Sequence, residues 1–155
     1  MKLIQLLTII SIGIAQPKYF DPDGYYYPSK VDDVGGLIIE SFNISSLEYY
    51  VNGKLDYNNP KIVKPEVLIL FVGDSTVTFA KNIILNKDTL SFEVDIPGEK
   101  RILFNGVFLD KRGQYWDQKD IVPQQTILVT GSVKLIQQGK VVVSKKMEFT
   151  YWEGD

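Results

Sequence analysis

The sequence predicts an all-β fold, an antiparallel meander of about eight to ten strands. Apolar and polar residues alternate with period two beyond Leu37, and turn residues punctuate the alternation at hairpin spacing. Outside the first fifteen residues, no stretch sustains a helical period. With 155 residues and 45% hydrophobic content, the chain is long enough to bury one core without cross-links.

Met1 to Ala15 read as a cleavable signal peptide: Lys2 gives a positive start, Leu3 to Ile12 an apolar run, and Gly13-Ile14-Ala15 a small-residue cleavage site. The run is too short to span a bilayer, which takes about 20 apolar residues, so no membrane span is expected in the mature chain. The expected destination is the periplasm or the extracellular medium. The domain carries no cysteine, and so neither a disulfide nor a lipid-modified cysteine holds it there. Residues 16–36 turn to Pro, Asp, Gly and Tyr and lack any period, which predicts an irregular arm. Residues 37–155 then form a single all-β domain.

Within that domain Leu90, Phe92, Val94 and Ile96 alternate with Ser91, Glu93 and Asp95, giving a strand with one apolar face. Val141, Val143, Met147, Phe149 and Tyr151 share a side of the last strand, and Lys145 interrupts it as a rim residue. Asn52-Gly53 suits a type I′ turn, and Gln138-Gly139 joins the last two strands. Gly73-Asp74, Asn86 to Asp88, Pro97-Gly98 and Asp110 to Gly113 supply further reversals. Sequential hairpins must close into a barrel or split into a sandwich to cover their edges, and the barrel is favoured. Phe79, Phe92, Phe104, Phe108, Val133 and Phe149 are its expected inward positions. Gly106 and Gly131, each inside a long strand, suit sharp bends. In strand rhythm and in these two glycines, Leu90 to Val133 resembles small lipocalin-like barrels.

Val67 to Val72 run into Gly73-Asp74-Ser75-Thr76, which resembles the first block of the GDSL or SGNH esterases. The resemblance implies Ser75 as nucleophile. That family's base is a histidine, however, and this chain has none, so Ser75 has no partner to lower its pKa. The same absences exclude thiol nucleophiles, Ser-His-Asp triads and zinc sites with nitrogen or sulfur ligands. Glu93 and Asp95 share a strand face at roughly 6 to 7 Å, a spacing open to a carboxylate-based carbohydrate-active enzyme. Ser144 and Lys145 are strand neighbours and point apart, which rules out a dyad.

Asp21, Asp23 and Asp32 are weak calcium candidates, because a calcium loop needs more oxygen ligands and a bidentate Glu. Tyr25, Tyr26, Tyr27, Tyr115 and Trp116 are the candidate ligand-binding rings, suited to sugar faces or a protein interface. Asn43-Ile44-Ser45 matches a glycosylation sequon, meaningful only where the transferase exists. The formal net charge is −2, and the basic pairs Lys111-Arg112 and Lys145-Lys146 form no stripe, so nucleic acid is not an expected partner. The sequence therefore points to an exported accessory or binding protein without a cofactor. Its partner would be an apolar or amphipathic small molecule inside a barrel, or a protein or glycan outside it.

Overall fold

The structure, a computed structural model, describes residues 22–48, 50–51, 54–55, 61–73, 77–109 and 127–152. Its strands are β1 (Gly24–Pro28), β2 (Ile39–Glu48), β3 (Tyr50–Val51), β4 (Lys54–Leu55), β5 (Lys61–Phe71) and β6 (Thr78–Phe79). The remainder are β7 (Lys81–Leu85), β8 (Leu90–Ile96), β9 (Lys100–Phe108), β10 (Ile127–Gln137) and β11 (Lys140–Trp152). Among the described residues there is no helix. Strands β3 and β4 pair only with each other, and the other nine form one sheet in the order β6-β5-β2-β1-β11-β10-β9-β8-β7. Every pairing is antiparallel.

The two ends of that order, β6 and β7, are consecutive in the chain and separated only by Ala80. One bent strand thus pairs first with β5 and then with β8, curling the sheet into a nearly closed barrel. The Ala80 amide donates to the Val67 carbonyl at 2.8 Å and fixes the bend. Asn82, at φ 52°, lies within the register shift of the β7–β8 pair.

Alternation decides what enters the barrel. Phe42 and Ile44 of β2, Phe92 and Val94 of β8, Ile102 and Phe104 of β9, Val133 and Leu135 of β10, and Met147 and Phe149 of β11 are buried. The rings of Tyr26, Phe42, Phe92, Phe104 and Phe149 form a continuous cluster: Tyr26 stacks on Phe42 at 4.8 Å, Phe42 meets Phe149 edge-on at 4.8 Å, and Phe92 stacks on Phe104 at 4.9 Å. The glycine pair Gly106 and Gly131 faces itself across β9 and β10. A Cβ on Gly131 would come within 2.7 Å of the Phe104 ring and of the Asn105 carbonyl, so the two glycines make room for that ring against the backbone.

Two sequence expectations are corrected. Residues 24–28 are not an irregular arm but strand β1, hydrogen-bonded between β2 and β11. Gly24 and Pro28 sit at its ends, and a Cβ on Gly24, at φ 135°, would run into the Tyr151 ring. Phe79 does not point inward. It pairs with Leu68, which lies between the inward Val67 and Ile69, and is 68% exposed. The other five expected inward residues are buried.

The connection from β1 to β2 closes one barrel end. Its Val34 is fully buried, and Val34 N donates to Leu37 O at 2.7 Å while Gly36 N donates to Asp33 Oδ1 at 2.7 Å. Gly35 (φ 67°) lies against Leu135 and Val143, where a side chain would not fit.

Candidate functional site

The tyrosine triplet divides by strand parity. Tyr26 is buried inside the barrel as a core residue, donating its hydroxyl to Pro22 O at 2.6 Å. Tyr25 is 44% exposed, and Tyr27 is half-buried with its carbonyl accepting from Thr150 Oγ1 at 3.3 Å. Tyr115 and Trp116 lie outside the described residues. Of the described residues on either side of them, Leu109 N donates to Leu128 O at 2.9 Å, and Ile127 pairs with Thr150.

Tyr25 begins a row of outward residues that the sequence did not reveal. Tyr25 pairs with Asn43, Asn43 with Leu68, and Leu68 with Phe79, so the four share one outer face across β1, β2, β5 and β6. Asn43 is tied down by its Nδ2, which donates to Gly24 O at 3.2 Å. Val77 and Ile84, both more than half exposed, extend the apolar surface beyond Phe79 along the same bent strand.

The wall made by β7, β8 and β9 is charged. Asp95 Oδ1 accepts from Arg101 Nε at 3.0 Å, its Oδ2 is bonded by Lys81 Nζ, and Glu93 Oε2 lies 3.2 Å from Arg101 Nη1 in an ion pair without hydrogen-bond alignment. The Lys81 hydrogen bond, helped by Arg101, holds the Asp95 carboxyl below its ordinary range. A general acid needs the opposite shift. Ser144 is exposed while Lys145 is half-buried and bonded to Asp32, consistent with their opposed directions.

The calcium candidates do not converge. Asp23 and Asp32 stand beyond opposite ends of β1. Both carboxylate oxygens of Asp23 are engaged by β2: Oδ1 accepts from Ser46 N at 2.7 Å and Ser46 Oγ at 2.6 Å, and Oδ2 from Leu47 N at 2.9 Å. Asp32 Oδ1 accepts from Lys145 Nζ at 2.8 Å, which lowers its pKa. Asp21 lies outside the described residues, and among those described no cluster of acidic residues could hold a metal ion.

No known protein family, curated protein or solved structure matches this chain. The esterase resemblance loses its structural support as well. Ser75 lies outside the described residues, but Val77 leads directly into strand β6, where that family has a helix, and β5 pairs only with antiparallel neighbours. Among the described residues no helix is long and apolar enough to cross a membrane.

The Tyr25–Phe79 row has a cleft beside it. The cleft, about 440 Å³, lies where β5 and β7 diverge and is lined by Lys64, Pro65, Glu66, Phe79, Lys81 and Asn82 among others. Sequence reasoning missed it because it arises from an interrupted pairing, which no local pattern encodes.

Proposed function

We propose that this chain is an exported, non-catalytic binding protein whose partner is another protein, docked on the outside of the barrel. The observation that carries this reading is the in-register outward row of Tyr25, Asn43, Leu68 and Phe79 on one wall, exposed at its two aromatic ends and half-buried between them. An exposed aromatic and aliphatic strip, flanked by polar groups, is the usual composition of an interface centre. The contiguous rings of Tyr26, Phe42, Phe104 and Phe149 already occupy the axis of the barrel, which argues against a lumen built for an apolar ligand. The carboxylates suited by spacing to sugar chemistry are engaged by Arg101 and Lys81 on the outer face, which argues against catalysis there.

Photo-crosslinking in the producing cells tests the reading. A crosslinking side chain at position 25 or 79 is expected to trap one discrete protein partner, and the same group at Ser91 or Lys146 on the polar wall is expected to trap none. Equal trapping from both walls, or trapping from neither, overturns it. So would a lipid extracted in equimolar amount from the purified protein.

A further inference from the structure

We infer that the outer face of β10 and β11 carries a site for a tetrahedral oxyanion, a phosphate or sulfate group, held by Ser132, Lys134, Ser144 and Lys146. Parity puts these side chains outside: Val133 and Leu135 flank Lys134 and are buried, and Met147, next to Lys146, is buried as well. Register then sets the four in a square. Ser132 pairs with Lys146 and Lys134 with Ser144, so the two lysines occupy one diagonal and the two serines the other. Directly paired residues lie about 4.5–5.5 Å apart between Cβ atoms, and diagonal ones about 7–8 Å. A small group resting on the sheet at the centre is therefore within reach of all four side chains. Ser144 and Lys146 are exposed, and Ser132 and Lys134 are half-buried.

What selects an anion is the way these lysines are left unmatched. Elsewhere on the barrel, register sets cation against anion: Lys61 faces Glu48 and Arg101 faces Asp95, each in an ion pair. On β10 and β11 the residues paired with the lysines are serines, and neither Lys134 nor Lys146 has an ion-pair partner among the described residues. Two ammonium groups on one diagonal repel each other, a cost that an opposite charge between them removes. Following the register away from the square meets few acids. The row of Ser132 continues through Asn105 to Ser91, and that of Lys134 through Leu103 to Glu93, which is two strands away and held by Arg101. Glu148 borders the square, two residues on from Lys146 and opposite Thr130, so two positive charges stand against one negative charge. The serines supply what a lysine pair alone lacks. Each hydroxyl donates from a short stem, and together with the two ammonium groups the square offers four donors to the four oxygens of a phosphate or sulfate. A carboxylate brings only two oxygens to the same four donors.

The site lies apart from the Tyr25–Phe79 row and is tested apart from it. Inorganic phosphate, sulfate and acetate are titrated into the full chain at constant ionic strength while backbone amide shifts are followed by NMR. Phosphate and sulfate are expected to move the amides of 132–134 and 144–146 with one common Kd, and acetate to bind more weakly. Lys134→Gln and Lys146→Gln should each raise that Kd by up to about fivefold, the most that one exposed ion pair commonly contributes. Ser132→Ala combined with Ser144→Ala keeps every charge and should raise it about fivefold or more, because two hydrogen bonds to a charged group are lost. Glu148→Gln should lower it about twofold, since a nearby negative charge is removed. Vesicles give the source of the anion. Sedimentation with phosphatidylglycerol vesicles that the two lysine substitutions together abolish assigns it to a lipid headgroup, and phosphate binding without sedimentation assigns it to a soluble ion or ester; both sustain the site. Shifts spread equally over other exposed lysines such as Lys30 and Lys64, no shift at the square, or a Kd indifferent to the two serines overturns the proposal and leaves this face as a solvated one.

Discussion

At the scale of single residues, the barrel depends on a few side chains that close otherwise impossible contacts. Phe104 touches the rings of Phe42, Phe92 and Phe149 and lies over Gly106 and Gly131. Phe104→Ala should cost about 3–5 kcal/mol, read as a lower urea midpoint with an unchanged slope. Gly131→Ala acts from the other side of the same contact. It adds a methyl against the Asn105 carbonyl as well as the ring, and backbone cannot yield as a side chain does. A loss of about 1–3 kcal/mol is expected, and combining both substitutions should cost less than their sum because Ala at position 104 vacates the space the methyl needs. Asp23 is the polar counterpart. It satisfies two backbone amides and a hydroxyl where β2 changes register between Ser45 and Leu47. Asp23→Ala orphans these donors beside the buried Ser46 and should lower stability by about 1–3 kcal/mol, whereas calcium should leave the thermal midpoint of the parent unmoved.

At the scale of elements, the connection between β1 and β2 is held to the barrel by Val34 in the core and by Asp32 bonded to Lys145. Lys145 stands where the apolar side of β11 gives way to the rim, so the interruption visible in the sequence marks a tether. The hydrogen bond from Lys145 holds the Asp32 carboxyl below its ordinary range. A carboxyl whose folded pKa is depressed contributes stability above its unfolded pKa, and that contribution fades as the pH falls through the folded value. Lys145→Met should therefore be less stable than the parent by a constant amount from pH 7 to about 5, and the difference should shrink below about pH 4. Calorimetry of both proteins across that range decides it. The rhythm of β8 to β11 was legible because each strand has one wet face. In β1 it was illegible, since Tyr25, Tyr26 and Tyr27 place the same residue on both faces and parity leaves no trace. Phe79 misled for a related reason: its strand is too short to establish a phase, and only the register with Leu68 assigns it outward. The outward row leaves no sequence signal because its members come from four strands, and register is a property of pairs.

At the scale of the whole molecule, a disulfide-free barrel is only as continuous as its hydrogen-bond belt. The belt is tightest through β9, β10 and β11, where pairing runs almost the full length of each strand. It is interrupted at one place among the described residues, between β5 and β7, where a single bent strand serves two neighbours. Opening there breaks few bonds and uncovers only the half-buried Ala80, Ile83 and Leu85 of the core, since Lys81 and Ile84 are already exposed. Native-state hydrogen exchange should therefore be graded around the circumference. Paired amides of β9 and β10 should exchange only through global unfolding, at about 5–15 kcal/mol, while those of β7 exchange through local opening at a small fraction of that. Phe104→Ala should speed exchange in β9 and β10 by the full measure of its equilibrium cost and leave β7 almost unchanged, because the seam opens without disturbing the ring cluster. Uniform protection around the barrel, or a mutational effect shared equally by β7 and β9, would mean that the wall opens as one unit.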